Sequence, residues 1–223
     1  MNKQGNTYTF LYAVVMVVIV AALLSVISLS LQPLQEKNRM NEKRQNILSA
    51  INITSDATTA EELLTKYVKE QYVINAKGEK ISGKQAFDID IAVEYSKNAD
   101  SRNLPVYVAN IDGATKYILP IYGAGLWGPI WGYISLNEDK KTVYGIFLGH
   151  QGETPGLGAE IATENFTSKF QNINIQQGSG YGIAIVKGAA NNQVESISGG
   201  TITSKGVEAM LKSYLTNYEA FLK

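Results

Sequence analysis

The sequence predicts an α+β fold: a mostly antiparallel sheet with flanking helices, preceded by one N-terminal transmembrane helix. Three observations carry that expectation. Residues 10–31, FLYAVVMVVIVAALLSVISLSL, hold neither a charge nor a proline, and about 20 apolar residues suffice for a helix to cross a bilayer core. The middle of the chain alternates apolar and polar residues between turn-forming pairs, which is the period of strands. The C-terminal stretch puts Val207, Met210, Leu211, Tyr214, Leu215, Tyr218 and Phe221 on one helical stripe.

Taken in order, residues 1–9 form a tail and residues 10–31 the membrane helix. A helix buried in a soluble core would show a polar face, and this one has only scattered serines. A signal-peptide core is typically about 7–15 residues and ends in a small-x-small site. Ser28-Leu29-Ser30 is a poor version of that site, so an uncleaved anchor is expected. Lys3 precedes the segment, whereas Lys37, Arg39, Lys43 and Arg44 follow it. Basic residues alone would leave the main domain in the cytoplasm, a weak lean that Glu36 and Glu42 dilute.

Residues 32–53 read as a helical stalk, with Leu34, Ile47, Leu48 and Ile51 as its apolar positions. The domain proper spans 54–223. Thr59-Ala60-Glu61-Glu62 fits a capping box and opens a helix over about 60–72. Phe87, Ile89, Ile91 and Val93 alternate with polar or small residues and predict a half-buried strand. Residues 105–111 and 115–122 form a hairpin around Asp112-Gly113, a strong turn signal. Residues 130–136 and 142–149 form another across NEDKK. A short helix over 161–170, short strands over 181–186 and 193–197, and a final helix over 205–222 complete the chain.

Composition excludes several chemistries. Lysine plus arginine and aspartate plus glutamate number 20 each, which gives no electrostatic reason to expect nucleic acid as a partner. Cysteine is absent, so disulfides, thiolate iron–sulfur ligation, a catalytic thiol and a cysteinyl cofactor link are excluded. His150 is the one histidine, so a multi-histidine metal site is excluded too. No catalytic carboxylate pair, nucleophile triad or nicotinamide fingerprint is visible. Redox chemistry would need a bound organic cofactor.

One stretch invites such a group. Ser198-Gly199-Gly200-Thr201 lies between a predicted strand and the amphipathic final helix. Paired glycines let backbone amides approach a ligand, and a helix N-terminus favours a phosphate. Thr203 and Ser204 add hydroxyls that either bond the phosphate or cap the helix, with Ser204 as the expected N-cap in the plain-loop reading. Lys205 would neutralise phosphate charge or be simply solvated. The similar Asp112-Gly113-Ala114-Thr115 has strand on both sides and no following helix, so Thr115 is read as a strand residue.

The string from Glu195 to Thr201, ESISGGT, resembles the acid-x-x-Ser-Gly-Ala-Thr motif of FMN-binding respiratory subunits, with glutamate for the usual aspartate and Gly200 for the usual alanine. Glu153-Thr154-Pro155-Gly156-Leu157-Gly158 is similar to the ETPGLG signature of the same family. Gly125-Leu126-Trp127-Gly128 resembles the GLW segment of its C-subunit branch, which serves Na+-translocating NADH:quinone oxidoreductases. The resemblance implies FMN bound covalently through a phosphoester to Thr201, with Ser198, Gly199 and Gly200 shaping the turn. It further implies that Thr154 and Leu157 enclose the flavin ring, with Glu153, Gly158 and Trp127 beside them, and Trp131 a weaker candidate. His150, next to this loop, is read as structural.

By the same resemblance the chain is a one-flavin electron carrier in a sodium-pumping complex. It does not oxidise NADH but passes electrons to a flavin in a neighbouring subunit on the way to quinone. Its partners are the other subunits, the membrane and a flavin transferase. The resemblance also sets the flavin domain on the periplasmic side of the inner membrane, against the charge-based lean. Two alternatives stand beside this reading: the G subunit of the related Rnf ferredoxin:NAD+ oxidoreductase, and a membrane-tethered module that binds a phosphorylated ligand noncovalently.

Overall fold

The structure, a computed structural model, describes residues 5–223, so Met1 to Gln4 of the expected tail lie outside the described residues. The chain divides into two compact units, one ending at Lys43 and the other Arg44–Lys223. Helix α1, Asn6–Ser49, begins within the expected tail, runs through the apolar segment and ends four residues short of the expected end of the stalk. It is long and apolar enough to cross a membrane. Its side chains from Phe10 to Leu31 are exposed, as Val17 and Leu29 show, so this is not the core helix of a soluble fold.

Within the second unit, α2 (Ala60–Tyr67) is shorter than expected and gives way to strand β1, Val68–Ile74. The capping box does not form. Thr59 makes no side-chain cap; its hydroxyl bonds the Asp56 carboxylate at 3.0 Å, and that carboxylate also takes the Thr58 and Thr59 amides. The strand wins over helix propensity because Tyr72 and its neighbours pair with a second strand, Tyr72 opposite Val106.

The strand expected over 87–93 is not one. Ala86–Asp88 is a 3-10 turn and Ile91–Tyr95 is a short helix, α3. The Asp90 carboxylate accepts from the amides of Ala92 and Val93, and such an N-cap stabilises a helical start that an alternating pattern does not reveal.

The sheet continues with β2 (Leu104–Ile111), β3 (Ala114–Ala124), β4 (Pro129–Leu136) and β5 (Val143–His150). All five strands form one antiparallel meander in chain order. Both expected hairpins are present. At the first, Asp112 and Gly113 adopt φ of 51° and 83°, the left-handed pair that matches the twist of a two-residue hairpin.

Beyond the sheet the expected 161–170 helix is broken into a 3-10 turn at Gly158–Ala162, helix α4 (Glu164–Thr167) and a 3-10 turn at Ser168–Phe170. Phe166 and Phe170 pack edge-to-face at 5.4 Å and are buried. Two-residue strands follow: β6 (Gln176–Gln177), β7 (Gly180–Tyr181), β8 (Ile185–Val186) and β9 (Val194–Glu195). The β8–β9 pair is parallel. The last helix starts four residues before its expected position, as α5 (Thr201–Asn217), and is followed by α6 (Glu219–Leu222).

The meander has a core on each face. Leu104, Val106, Leu119, Ile121, Ile134 and Leu148 point to one side and meet Val207, Leu211 and Leu215 of α5 with Phe166 and Phe170. Tyr107, Ala109, Ile118 and Tyr133 point to the other and meet Ile47, Leu48 and Ala60. The period of two therefore survives in the strands although both faces are covered. Each fully buried Leu or Ile contributes about 1.5–3 kcal/mol by burial.

Candidate functional site

Two turns of the same kind meet at one end of the sheet. In the first, the Leu157 amide donates to the Thr154 carbonyl at 3.1 Å, with Pro155 second and Gly156 third at φ +73°. Proline second and a positive-φ glycine third define a type II turn. In the second, the Gly200 amide donates to the Ile197 carbonyl at 3.0 Å, with Gly199 at φ +75°. The turns touch: a Cβ on Gly199 would lie 2.7 Å from Leu157 Cδ2, and one on Gly200 would lie 3.1 Å from the Leu157 carbonyl oxygen.

The second turn delivers the chain into α5 at Thr201, whose side chain is exposed. Gly200 occupies the N-cap position and no side chain caps the helix. Ser204 does not serve as the expected N-cap. It lies within α5, fully buried, and its hydroxyl accepts from the Ile197 amide at 3.1 Å. The first-turn amides of α5 are thereby left for something outside the helix.

Beneath this turn is a cleft of about 270 Å³ whose lining includes Val186, Lys187, Ser198, Gly199, Thr201 and Lys205. Lys205 is paired with Glu208 at 2.5 Å. Glu195 accepts from the amides of Ala189 at 2.7 Å and Gly188 at 3.0 Å. Those two bonds, Ala189 first, hold its carboxyl below the usual glutamate range. Its work is to fold the loop between β8 and β9 that leads into the turn.

The third motif joins through Glu153. This carboxylate is buried and accepts from the Thr203 hydroxyl at 2.6 Å and the Trp127 amide at 2.9 Å. Burial alone would raise its pKa. Bonds from the Thr203 hydroxyl and the Trp127 and Leu126 amides outweigh that and hold it below the ordinary value. The Glu153 amide donates to His150 Nδ1 at 3.2 Å, so His150 braces the loop. Gly158 closes against the same pair: a Cβ there would run into the Glu153 carboxylate and lie 2.5 Å from Thr203 Oγ1.

The structure therefore brings together Trp127, Glu153, Leu157, Gly158, Ser198, Gly199, Gly200, Thr201 and Thr203, with Thr154 in the adjoining turn. Trp131 is set apart on β4, its ring against Gly149 of β5. Thr115 pairs with Asn110 inside the β2–β3 hairpin, as its strand reading requires. Sequence reasoning missed two exposed apolar residues at this end, Leu126 at 46% and Ile202 at 61% exposure, alongside Trp127 at 68% and Leu157 at 43%. Ile202 carried a signal, being an apolar residue directly after the Ser-Gly-Gly-Thr turn and ahead of the stripe that begins at Val207.

Comparison with known proteins places this arrangement in a class. Residues 125–216 match the family of the FMN-binding domain. The chain is 30% identical to the C subunit of the Na(+)-translocating NADH-quinone reductase of Neisseria meningitidis serogroup B, over 93% of this chain and 90% of that one. It is 29% identical to the C subunit of the Haemophilus ducreyi reductase, over 95% and 90%. A crystal structure of the C subunit from Parabacteroides distasonis is 43% identical and superposes with a TM-score of 0.80, covering 86% of this chain and 97% of that one. The chain thus belongs to the C-subunit family of the Na+-translocating NADH-quinone reductases.

Proposed function

We propose that this chain is the flavin-bearing electron carrier of a sodium-translocating NADH:quinone reductase, holding FMN through a phosphoester on the Thr201 hydroxyl. The observation that carries the reading is the exposed Thr201 hydroxyl, set at a helix N-terminus without a side-chain cap where three separate loops converge. The residues present fit a flavin phosphate. The free amides and positive end of a 17-residue helix favour an anion such as the singly charged phosphodiester, and Lys187 and Lys205 line the adjoining cleft. Exposed Leu126, Trp127, Leu157 and Ile202 offer apolar surface for a flat ring.

When bound, FMN supplies the redox chemistry of the carrier. The protein's part is placement. The glycine turn brings backbone close to the phosphate, the helix end stabilises its charge, and the apolar side chains screen the ring from water. The chain works with the other subunits of the complex, is matured by a flavin transferase and is anchored by α1 as a single membrane span. We place its second unit on the periplasmic side, following the family resemblance. A reporter enzyme active only outside the cytoplasm, fused after Lys223, would be active in cells if this is right and silent if the charge-based lean holds.

The test of the carrier reading is the intact mass of the full chain, coproduced with a flavin transferase and exported, beside Thr201→Ala. The expected result is a gain of FMN less one water in the parent chain and none in the variant. An unmodified mass in both would overturn the ester and leave a tethered module that binds a phosphorylated ligand noncovalently.

A further inference from the structure

Among the described residues, Glu153 is the side chain that ties all three converging segments together. One carboxylate oxygen accepts from the Trp127 amide, in the loop between β3 and β4. The other accepts from the Thr203 hydroxyl, in the first turn of α5. Glu153 itself belongs to the loop after β5, immediately before the Thr-Pro-Gly turn. It is 4% exposed and Thr203 is 1% exposed. Glycines close the space on both sides: a Cβ on Gly125 would strike one carboxylate oxygen, and a Cβ on Gly158 would strike the other. The carboxylate is walled in by protein donors and glycine backbone, with its acceptor capacity turned toward the chain.

We infer that Glu153 is a positioning residue, and that its carboxylate, by gripping the Trp127 amide and the Thr203 hydroxyl, joins the three loops into one wall instead of binding the flavin itself. This deepens the flavin-carrier reading and rests on it for the identity of the ligand; the joint itself can be tested without any ligand. A carboxylate suits the role because it only accepts. Both partners donate to it here; an amide in its place would remove the charge from both bonds and reverse the one to Thr203, whose hydroxyl would have to turn and accept from the new N–H. The partners sit on elements far apart in sequence, so no local hydrogen bond substitutes for the joint. Apolar Leu126 and Trp127 are carried by one gripped segment, and exposed Thr201 lies two residues before the other.

The experiment uses the full chain in detergent, before and after flavin loading, with Glu153→Gln, Thr203→Val and Thr203→Ser. In the unloaded chain, hydrogen exchange of the Trp127 amide is expected to rise about tenfold or more in Glu153→Gln, because the charge-assisted bond becomes at best a neutral one. Exchange along 207–217 stays as in the parent. In the loaded chain, Glu153→Gln and Thr203→Val are expected to shift the flavin fluorescence and midpoint potential alike. Their double variant adds nothing further, and Thr203→Ser keeps the parent values. Unchanged Trp127 exchange in Glu153→Gln overturns the joint. A flavin shift in Glu153→Gln that Thr203→Val does not share overturns it as well, since it would show direct contact. Should Glu153→Gln fail to fold, Thr203→Val against Thr203→Ser decides by the same flavin readouts. A chain that takes up no flavin would count against the carrier reading, while the exchange result still decides the joint.

Discussion

Two turns in this chain carry almost the same residues and end in threonine, yet they do different work. Asp112-Gly113-Ala114-Thr115 closes the β2–β3 hairpin, and Ser198-Gly199-Gly200-Thr201 leads into α5. Both use a glycine at positive φ, 83° at Gly113 and 75° at Gly199. At the hairpin the next backbone groups are absorbed at once by the ladder, with Ile111 opposite Ala114 and Asn110 opposite Thr115. At the helix they are not, because a helix start leaves its first N–H groups unpartnered. A Cβ on Gly113 would meet nothing within 4 Å, whereas one on Gly199 would press on Leu157. The lesson is that a Gly-Thr string acquires binding capacity from the element that follows it and the loop that faces it.

That contrast can be broken by substitution. The largest effect is expected for threonine itself: Thr201→Ala abolishes the FMN mass gain and Thr115→Ala leaves it intact, read by mass spectrometry of the two chains. Next come the glycines. Alanine at either position is strained by about 1–2 kcal/mol in the left-handed region, visible in denaturant melts. Gly199→Ala should also lower flavin incorporation, since it displaces Leu157, and Gly113→Ala should not.

A smaller difference is expected between the polar groups that pin the turns. Ser204→Ala leaves the half-buried Ile197 amide without its acceptor, at a cost of about 1 kcal/mol or more, since a fully buried donor left unsatisfied costs about 1–3 kcal/mol. Asn110→Ala removes an exposed bond of 3.1 Å to the Gly113 amide, and its effect should stay under about 1 kcal/mol. Chemical denaturation of the two variants gives the comparison directly.

The smallest effect concerns Glu195, whose carboxyl is held below the usual glutamate range by the Ala189 and Gly188 amides. A depressed carboxylate contributes above its unfolded pKa and loses that contribution as pH falls through its folded one. The Gly188 and Ala189 amide signals should therefore shift together in NMR spectra with a midpoint below the usual glutamate range. Glu195→Gln should remove the transition.

Part of this was legible without coordinates. The apolar run, the Asp112-Gly113 hairpin, the NEDKK hairpin and the stripe from Val207 to Phe221 are each written in local periodicity or turn chemistry, which needs only near neighbours. The motif strings marked three loops for the same reason. Other features belonged to the tertiary structure. Val68 to Ile74 became a strand because a second strand was there to pair with. Residues 87–93 became short helical turns because the Asp90 carboxylate capped one of them, although the sequence alternates like a strand.

The site divides along the same line. The sequence determined that a glycine turn would precede an amphipathic helix, and the motif resemblance singled out Thr201; only the structure set the helix start at Thr201 instead of Lys205. The structure decided that Ser204 turns inward to Ile197, leaving the helix end uncapped. It also decided that Glu153 reaches Thr203, fifty positions away along the chain. No propensity or spacing encodes that pairing. It exists because packing α5 across the sheet brings its first turn against the loop after β5, and a buried carboxylate takes the donors that packing presents.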